Sequence, residues 1–171
     1  MIVEQVKVGI ADYKIVKAPK KIMTIGLGSC VGICIYDTKT KVVGLAHIML
    51  SDSKRFKNID NEKKFADLAI PKLVNEMIDL GCERSSLIAK IAGGASMFNF
   101  SDSKMISDIG KRNGIAVREA LKKEKIDIVA EDIGGNKGRT MIVDSLTGKV
   151  TLRIVGEGIK ELWGGYIYEK Y

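Results

Sequence analysis

Residues 26–36 read GLGSCVGICIY, a glycine-punctuated turn that runs directly into an apolar, β-branched stretch. Five polar residues follow at 37–41, and a second apolar stretch spans 42–50. Two apolar runs around a short polar loop predict a β-hairpin. Cys30 stands at the start of its first strand, and His47, the only histidine of the chain, lies in its second strand.

The predicted register of this hairpin brings Cys30 and His47 face to face. If residues 37–40 form the loop, Tyr36 faces Lys41, and counting back along both strands sets Cys30 opposite His47. Directly opposed residues have Cβ atoms about 5 Å apart, so the thiol and the imidazole would meet. A shift of one residue would turn His47 to the other face of the sheet.

A thiol beside an imidazole is the minimum equipment for a cysteine nucleophile with a general base. The alternative is a buried structural cysteine with an incidental histidine. The glycines before Cys30 favour the nucleophile, because they permit a tight turn and leave backbone N–H groups, with Gly28 and Ser29 as candidates, open to an oxyanion. No acidic residue adjoins His47, so the hydroxyl of Thr24 is the candidate for orienting the ring.

Two other kinds of site fit the sequence less well. The glycine turn lacks the third glycine of a dinucleotide-binding fingerprint, and the chain has no P-loop lysine motif. Zinc would need the cysteines together with His47, but Cys30 and Cys34 would lie about 13 Å apart along a strand, too far to share one tetrahedral ion. Cys34 and Cys82 are better explained as small buried residues. We therefore expect no metal and no organic cofactor.

Length and composition predict one domain over residues 1–171. The chain is 46% hydrophobic and 29% charged, as soluble globular proteins are. No apolar run approaches the ~20 residues that span a bilayer, so membrane insertion is not expected. Three cysteines and an N-terminus without a signal-peptide pattern favour the cytoplasm. A monomer is the default expectation.

The net charge of +7 has two explanations, a lysine-rich solvated surface or attraction to an acidic partner. Nucleic acid is a poor candidate, because aromatic residues make up only 6% of the chain and no basic cluster is interleaved with stacking residues. An acidic protein surface fits at least as well.

Apolar patterning elsewhere predicts two helices and further strands. Helical spacing indicates helices over residues 65–80 and 106–121. Polar residues 51–62 are expected to form a surface loop close to His47. The mixture predicts an α+β fold with a mixed sheet. The other strands are expected in hairpins over 6–16 and 141–155 and singly at 22–25, 87–92 and 126–130.

Four blocks of the sequence resemble the CheD family, the chemoreceptor glutamine deamidases of prokaryotic chemotaxis. They are residues 24–30, the Ala46-His47 pair, residues 89–98 and residues 131–139. The resemblance implies that Cys30 is the nucleophile, His47 the base and Thr24 the residue that positions the histidine. It also implies a layered sandwich of mixed β-sheet flanked by helices, like the catalytic domain of cytotoxic necrotizing factor toxins.

The same resemblance implies a reaction and partners. The side-chain amide of glutamines on chemoreceptor cytoplasmic helices would be hydrolysed to glutamate, with release of ammonia, through a thioester on Cys30. The phosphatase CheC would be a second partner, and the alternative role is mainly binding or regulating CheC with little turnover. The blocks with Gly93-Gly94 and Gly135-Asn136 are expected only to shape the pocket wall. We expect the thiol and imidazole to rest as a thiolate–imidazolium pair.

Overall fold

The computed structural model describes residues 2–97 and 104–162, and within these ranges ten strands and two α-helices form three layers. The helices are α1 (Ala66–Asp79) and α2 (Lys104–Lys123). The strands are β1 (Gln5–Val8), β2 (Asp12–Lys17), β3 (Lys21–Leu27), β4 (Val31–Asp37), β5 (Val42–Ile48), β6 (Leu87–Gly93), β7 (Asp127–Ile133), β8 (Arg139–Asp144), β9 (Val150–Ile154) and β10 (Gly158–Leu162).

The strands form two mixed sheets of five strands each. The outer sheet has the order β1-β3-β8-β9-β10, and the central sheet has the order β2-β5-β4-β6-β7. The pairs β1–β3 and β6–β7 are parallel, and the other neighbouring pairs are antiparallel. One hydrophobic cluster joins the central sheet to α1 and α2, and a second cluster joins the two sheets. The predicted α+β class with mixed sheet is confirmed.

Every residue of β4 and β5 is buried, because one face of these strands packs on the helices and the other on the outer sheet. This double burial explains why their sequence is continuously apolar rather than alternating. Along β4, Ile33 and Ile35 face the helices, whereas Cys34 and Tyr36 face the outer sheet. Cys82 is also buried, in the cluster that contains the helices. The prediction that Cys34 and Cys82 are small buried residues is confirmed.

Both predicted helices are present. Helix α1 contains Pro71 and ends before Gly81, whose φ of +103° suits a residue without a Cβ. Helix α2 contains Gly110 and Gly114 because it lies very close to the ends of β6 and β7. A Cβ at Gly110 would clash with the Ala95 carbonyl, and one at Gly114 would lie 2.9 Å from the Ile133 side chain. The two glycines therefore set how closely α2 approaches the sheet.

The predicted first hairpin over residues 6–16 is wrong. Strand β1 pairs with β3 in the outer sheet, whereas β2 pairs with β5 in the central sheet. The chain crosses between sheets at Ala11, which has a φ of +59°. The apolar pattern locates both strands but carries no information about their partners.

The expected loop at residues 51–62 contains a short 3-10 turn at Ser53–Arg55, and a second turn at Glu62–Lys64 follows it. In the described parts of the chain, no helix is both long and apolar enough to cross a membrane.

Candidate active site

Thr24 and His47 meet between the two sheets. Thr24 lies on β3 and His47 on β5, and both are fully buried. The hydroxyl oxygen of Thr24 is 2.7 Å from Nδ1 of His47. The predicted pairing of these two residues is therefore present, and it spans the sandwich.

The hydrogen bonds of Thr24 assign the tautomer of His47. The Thr24 hydroxyl donates its one hydrogen to the carbonyl of Val8 at 2.9 Å, since a carbonyl can only accept. Its oxygen must then accept a hydrogen bond from Nδ1–H of His47. The other ring nitrogen, Nε2, carries a lone pair and has no hydrogen-bond partner among the residues that the structure describes. The imidazole is thus held in the Nδ1–H tautomer, with the lone pair of Nε2 uncommitted.

Cys30 immediately precedes β4 and lies on the same side of the central sheet as His47, but not directly opposite it. Gly32 faces His47 and Tyr36 faces Val43, so the predicted register is wrong by two residues. Strand β4 continues to Asp37, which pairs with Leu87 of β6, and the loop becomes 38–41. A shift of two preserves the face of each side chain. Cys30 is diagonal to His47, a relation in which Cβ atoms lie about 7 Å apart and long side chains still interact.

The segment Gly28-Ser29-Cys30, here called the nucleophile loop, is held by its carbonyl groups. The Gly28 carbonyl accepts from the Ala95 N–H and the Cys30 carbonyl from the Gly94 N–H, each at 2.8 Å. The Ser29 carbonyl accepts from the side-chain amide of Asn113 at 2.9 Å. All three carbonyls therefore face the scaffold.

Of the two predicted oxyanion donors, the structure leaves one. The N–H of Gly28 donates to the Gly26 carbonyl at 3.0 Å, so it is already used. The N–H of Ser29 has no acceptor within residues 2–97 and 104–162. Ser29, next to the thiol residue, is the better candidate.

Burial moves the two reactive groups away from an ion pair. It lowers the pKa of His47 to about 4. It also raises the pKa of the Cys30 thiol, an effect that the residue's own backbone N–H only partly opposes. Both shifts favour the neutral forms near neutral pH and disfavour the expected thiolate–imidazolium pair. The cause is desolvation, which penalises each charged form.

Exposure separates the members of this trio. Cys30 is half-buried, whereas Thr24 and His47 have no exposed surface. Of the three residues, only Cys30 is open to solvent.

Gly93 and Gly94 lie against the nucleophile loop. Gly93 has a φ of +117°, and a Cβ there would clash with the Cys30 carbonyl. The predicted residues Gly135 and Asn136 are exposed, and the Gly135 carbonyl accepts from the Ser96 N–H at 2.9 Å. Gly93 and Gly94 thus contact the nucleophile loop directly, whereas Gly135 bonds Ser96, which follows that first glycine block in the chain.

The structure also bears on metal binding. Cys34 and Cys82 belong to clusters on opposite faces of the central sheet, so they cannot ligate one ion. Within the described residues, no group of three or more His, Cys, Asp or Glu side chains is placed to hold a metal.

Comparison with known proteins identifies the family. The family model for CheD chemotactic sensory transduction matches residues 49–154. A protein of Clostridium botulinum (strain Eklund 17B / Type B), named probable chemoreceptor glutamine deamidase CheD, is 65% identical over 158 residues, 92% of this chain and 98% of that protein. A protein of the same name from the Hall strain (Type A) is 58% identical over 162 residues, 95% of this chain and all of its own length. The chain belongs to the CheD family.

Two solved structures are far more distant from this CheD family member. The Bacillus licheniformis hypothetical protein YfiH has a TM-score of 0.41 and 16% identity, over 68% of this chain and 49% of that one. The Neisseria meningitidis protein NMB0706, of family DUF152, has a TM-score of 0.44 and 10% identity, over 78% and 63%. Scores this low carry no inference, and the likeness to cytotoxic necrotizing factor toxins stays a prediction.

Sequence reasoning missed two residues that build the site of this CheD family member. Asn113 lies on the buried face of α2 and bonds the nucleophile loop. Arg139, also buried, donates to the Gly93 carbonyl at 2.7 Å and to the Gly134 carbonyl, so it ties the two glycine blocks together. The available signal for the first was an asparagine at helical spacing between the apolar residues Ile109 and Val117. The second stood inside a matching block without being singled out.

Proposed function

We propose that this chain hydrolyses the side-chain amide of glutamines on chemoreceptors to glutamate, the activity named for its CheD relatives. The observation that carries the proposal is a partly exposed Cys30 on the same side of the central sheet as a buried imidazole whose Nδ1 is held by Thr24. The chemistry requires neither a metal nor an organic cofactor, and we propose that the protein acts as a monomer.

The reaction starts from a neutral thiol. As the Cys30 sulfur attacks the carboxamide carbon, its proton passes to Nε2 of His47, the ring nitrogen that is free to accept it. The carbonyl π electrons move onto oxygen, and the N–H of Ser29 donates to this oxyanion. Burial disfavours both the Cys30 thiolate and the His47 imidazolium. The proton therefore moves as the sulfur attacks, and not before.

Collapse of the tetrahedral intermediate releases ammonia. The proton on Nε2 moves to the departing amide nitrogen, the C–N bond breaks, and a thioester remains on Cys30. Water then attacks the thioester carbon while Nε2 takes one of its protons. The C–S bond breaks, the thiol regains its proton, and the receptor side chain leaves as glutamate.

Thr24 acts through the ring rather than on the substrate. Its oxygen accepts a hydrogen bond from Nδ1–H in both protonation states of the imidazole. This bond fixes the ring so that Nε2 points away from Thr24. A hydroxyl supplies no negative charge, so the imidazolium is less stabilised than beside a carboxylate and returns its proton readily.

The apolar surroundings of the sulfur suit the methylene stem of a glutamine. Met97, 47% exposed, lies within 3.2 Å of the position a Cβ of Gly28 would take. The absence of a side chain at Gly28 lets Met97 lie over the nucleophile loop. Met97 therefore presents an apolar side chain at Gly28, two residues from the thiol residue.

The test is direct conversion of a receptor. A purified chemoreceptor cytoplasmic fragment is incubated with the wild-type protein, with Cys30→Ala and with Cys34→Ala, and peptides are read by mass spectrometry alongside released ammonia. We expect glutamine-to-glutamate conversion with wild type and Cys34→Ala, and none with Cys30→Ala. Equal conversion by Cys30→Ala would overturn the proposal, as would wild-type protein that converts no glutamine.

We further propose the phosphatase CheC as a partner, on the family resemblance alone. If CheC only needs the surface around the thiol, the Cys30→Ala variant should bind it with unchanged affinity while deamidating nothing. Isothermal titration of CheC with both proteins measures this. A protein that binds CheC but never converts receptor glutamine would support the alternative, regulatory role.

A further inference from the structure

Asn113 bridges the two strand ends that carry the thiol and the imidazole. It lies on α2 and is 1% exposed. Its side-chain nitrogen donates to the Ser29 carbonyl at 2.9 Å and to the Met49 carbonyl at 2.8 Å. An amide nitrogen carries two hydrogens, so both are used. Ser29 directly precedes Cys30, and Met49 lies two residues after His47.

The bridge stands where the strand ladder stops. The last paired residues of β4 and β5 at this end are Val31 and Ile48. Beyond them the chain after β5 turns away, because the N–H of Met49 donates to the Lys64 carbonyl at 2.9 Å instead of to the neighbouring strand. The Asn113 amide takes the place of the missing hydrogen bonds between the two strands. It connects the segment before β4 to the segment after β5 through one rigid group.

The helix is held tightly enough for this amide to be a fixed point. Gly110 and Gly114 bring α2 against the ends of β6 and β7, where side chains would clash or crowd. Val117 and Leu121, farther along the same helix, have no exposed surface and belong to the cluster beneath the central sheet. A displacement of Asn113 would require the whole helix to move.

We propose that Asn113 is a positioning residue that sets the separation of the Cys30 sulfur and Nε2 of His47. It acts through the backbone on either side of these residues and does not itself contact the substrate. The proposal rests on the proposed function only in that the thiol and the imidazole exchange a proton. Because Cys30 lies diagonal to His47 rather than opposite it, their separation depends on the backbone beyond the last rung.

The test compares Asn113→Asp with wild type. An ionised carboxylate has the same shape but donates nothing to the two carbonyls, whereas a protonated one donates a single hydrogen. We expect kcat for receptor deamidation to fall about 10-fold to 100-fold with KM within about 2-fold, as misplacement of a reacting group does. The deficit relative to wild type should shrink as the pH falls and the new carboxyl is protonated.

The matched control is Ser86→Ala, at the opposite end of β4. Ser86 is 7% exposed and donates to the Asp37 carboxylate at 2.7 Å, so its loss also removes one buried hydrogen bond from the same strand. Thermal denaturation should show reduced stability for both variants, but kcat should be unchanged in Ser86→Ala. Equal loss of kcat in both would reduce the Asn113 effect to general destabilisation and overturn the proposal.

A second readout separates this proposal from the proposed function. The distance between the Cys30 sulfur and Nε2 of His47, measured in crystal structures of both proteins, should lengthen in Asn113→Asp even if no receptor is deamidated. Should that variant not fold, Asn113→Ser, which keeps one donor and is smaller, takes its place and should show an intermediate loss of kcat. A folded variant with wild-type kcat and a wild-type distance between sulfur and Nε2 would contradict the proposal, whereas lack of wild-type deamidation alone would contradict only the function.

Discussion

Cys30 and Cys34 belong to one run of chain and both contact the cluster between the two sheets, yet their surroundings differ in every property that matters for reactivity. Cys34 is 1% exposed, and burial raises the pKa of its thiol to about 12 despite the positive charge of nearby Lys90. Cys30 is half-exposed at the end of the strand, on the same side as the only imidazole. One thiol is sealed beside a cation, and the other is open beside a neutral base.

The comparison shows that position along the strand, and not residue type, separates the two thiols. The interior of β4 supplies only packing. At its end the ladder stops, so backbone N–H groups become available and the carbonyls are taken up by Gly94, Ala95 and Asn113. A reactive site needs this incomplete edge, because a fully paired strand has no donors left for an oxyanion.

Alkylation should give the largest difference between the two cysteines. In the native protein, iodoacetamide should modify Cys30 at least about 100-fold faster than Cys34 or Cys82, which require opening of the core. Because burial raises the pKa of the Cys30 thiol, its rate should climb with pH without levelling off near neutrality. Peptide mass spectrometry measures each site, and denatured protein, in which all three react alike, is the control. A plateau below about pH 7 would instead indicate a resting thiolate.

Removing His47 should separate two properties of Cys30, its attack on the glutamine amide and its reactivity toward alkylating agents. His47→Gln should lower kcat for deamidation by about 10²-fold to 10⁴-fold, the usual contribution of a general base. Iodoacetamide alkylation of Cys30 should change little, because the imidazole does not ionise the thiol at rest. Fixed-time assays of deamidation and of Cys30 alkylation, on the same protein preparation, measure both rates. If alkylation collapsed together with kcat, the two residues would form an ion pair after all.

The hydroxyl of Thr24 should have a smaller effect. Thr24→Val keeps the shape but leaves Nδ1–H of His47 and the Val8 carbonyl without their partner. Such a loss costs about 1–3 kcal/mol, or roughly 10-fold to 100-fold if it falls on the transition state. Thr24→Ser retains the hydroxyl and should stay close to wild type in kcat. A Thr24→Val protein as active as Thr24→Ser would show that the tautomer is set by another group.

The effect of pH on stability tests the burial of His47. Because the folded-state pKa of His47 is about 4, below its ordinary value, protons bind the unfolded chain more readily between these values. The contribution is complete above about pH 6.5 and should decline by about 3 kcal/mol on going from about pH 7.5 to about pH 4. Urea denaturation of wild type and His47→Gln at both pH values isolates it as a difference. If the free energy of unfolding had the same pH dependence in both proteins, the imidazole would be solvated in the folded state and the account of its burial would be wrong.

Much of this site was predictable because its signals are local. A glycine turn before a thiol, a single histidine on the next apolar stretch and a threonine before the turn lie within a few dozen residues of one another. Helices α1 and α2 were predictable from their apolar spacing. Each of these features depends mainly on the residues that form it and little on distant parts of the chain.

The remainder depends on contacts between distant parts of the chain. The hairpin register differs by two from the predicted one because β4 continues to Asp37, which pairs with Leu87 of the distant strand β6. The neutral resting state follows from the burial of His47 between sheets, which no neighbouring residue reveals. Asn113 is 84 positions from Ser29, and its role appears only when α2 lies over the strand ends.

The most direct test of Cys30 catalysis is partitioning by hydroxylamine. A receptor fragment is incubated with wild-type protein and increasing hydroxylamine, and the modified peptides are quantified by mass spectrometry, with Cys30→Ala as the control. A thioester on Cys30 predicts that a hydroxamate appears at the same glutamines that otherwise become glutamate, at the expense of glutamate, and that neither product forms with Cys30→Ala. Glutamate formed at an unchanged yield with no hydroxamate at any concentration would mean that water attacks the amide directly, and would contradict a covalent role for the thiol.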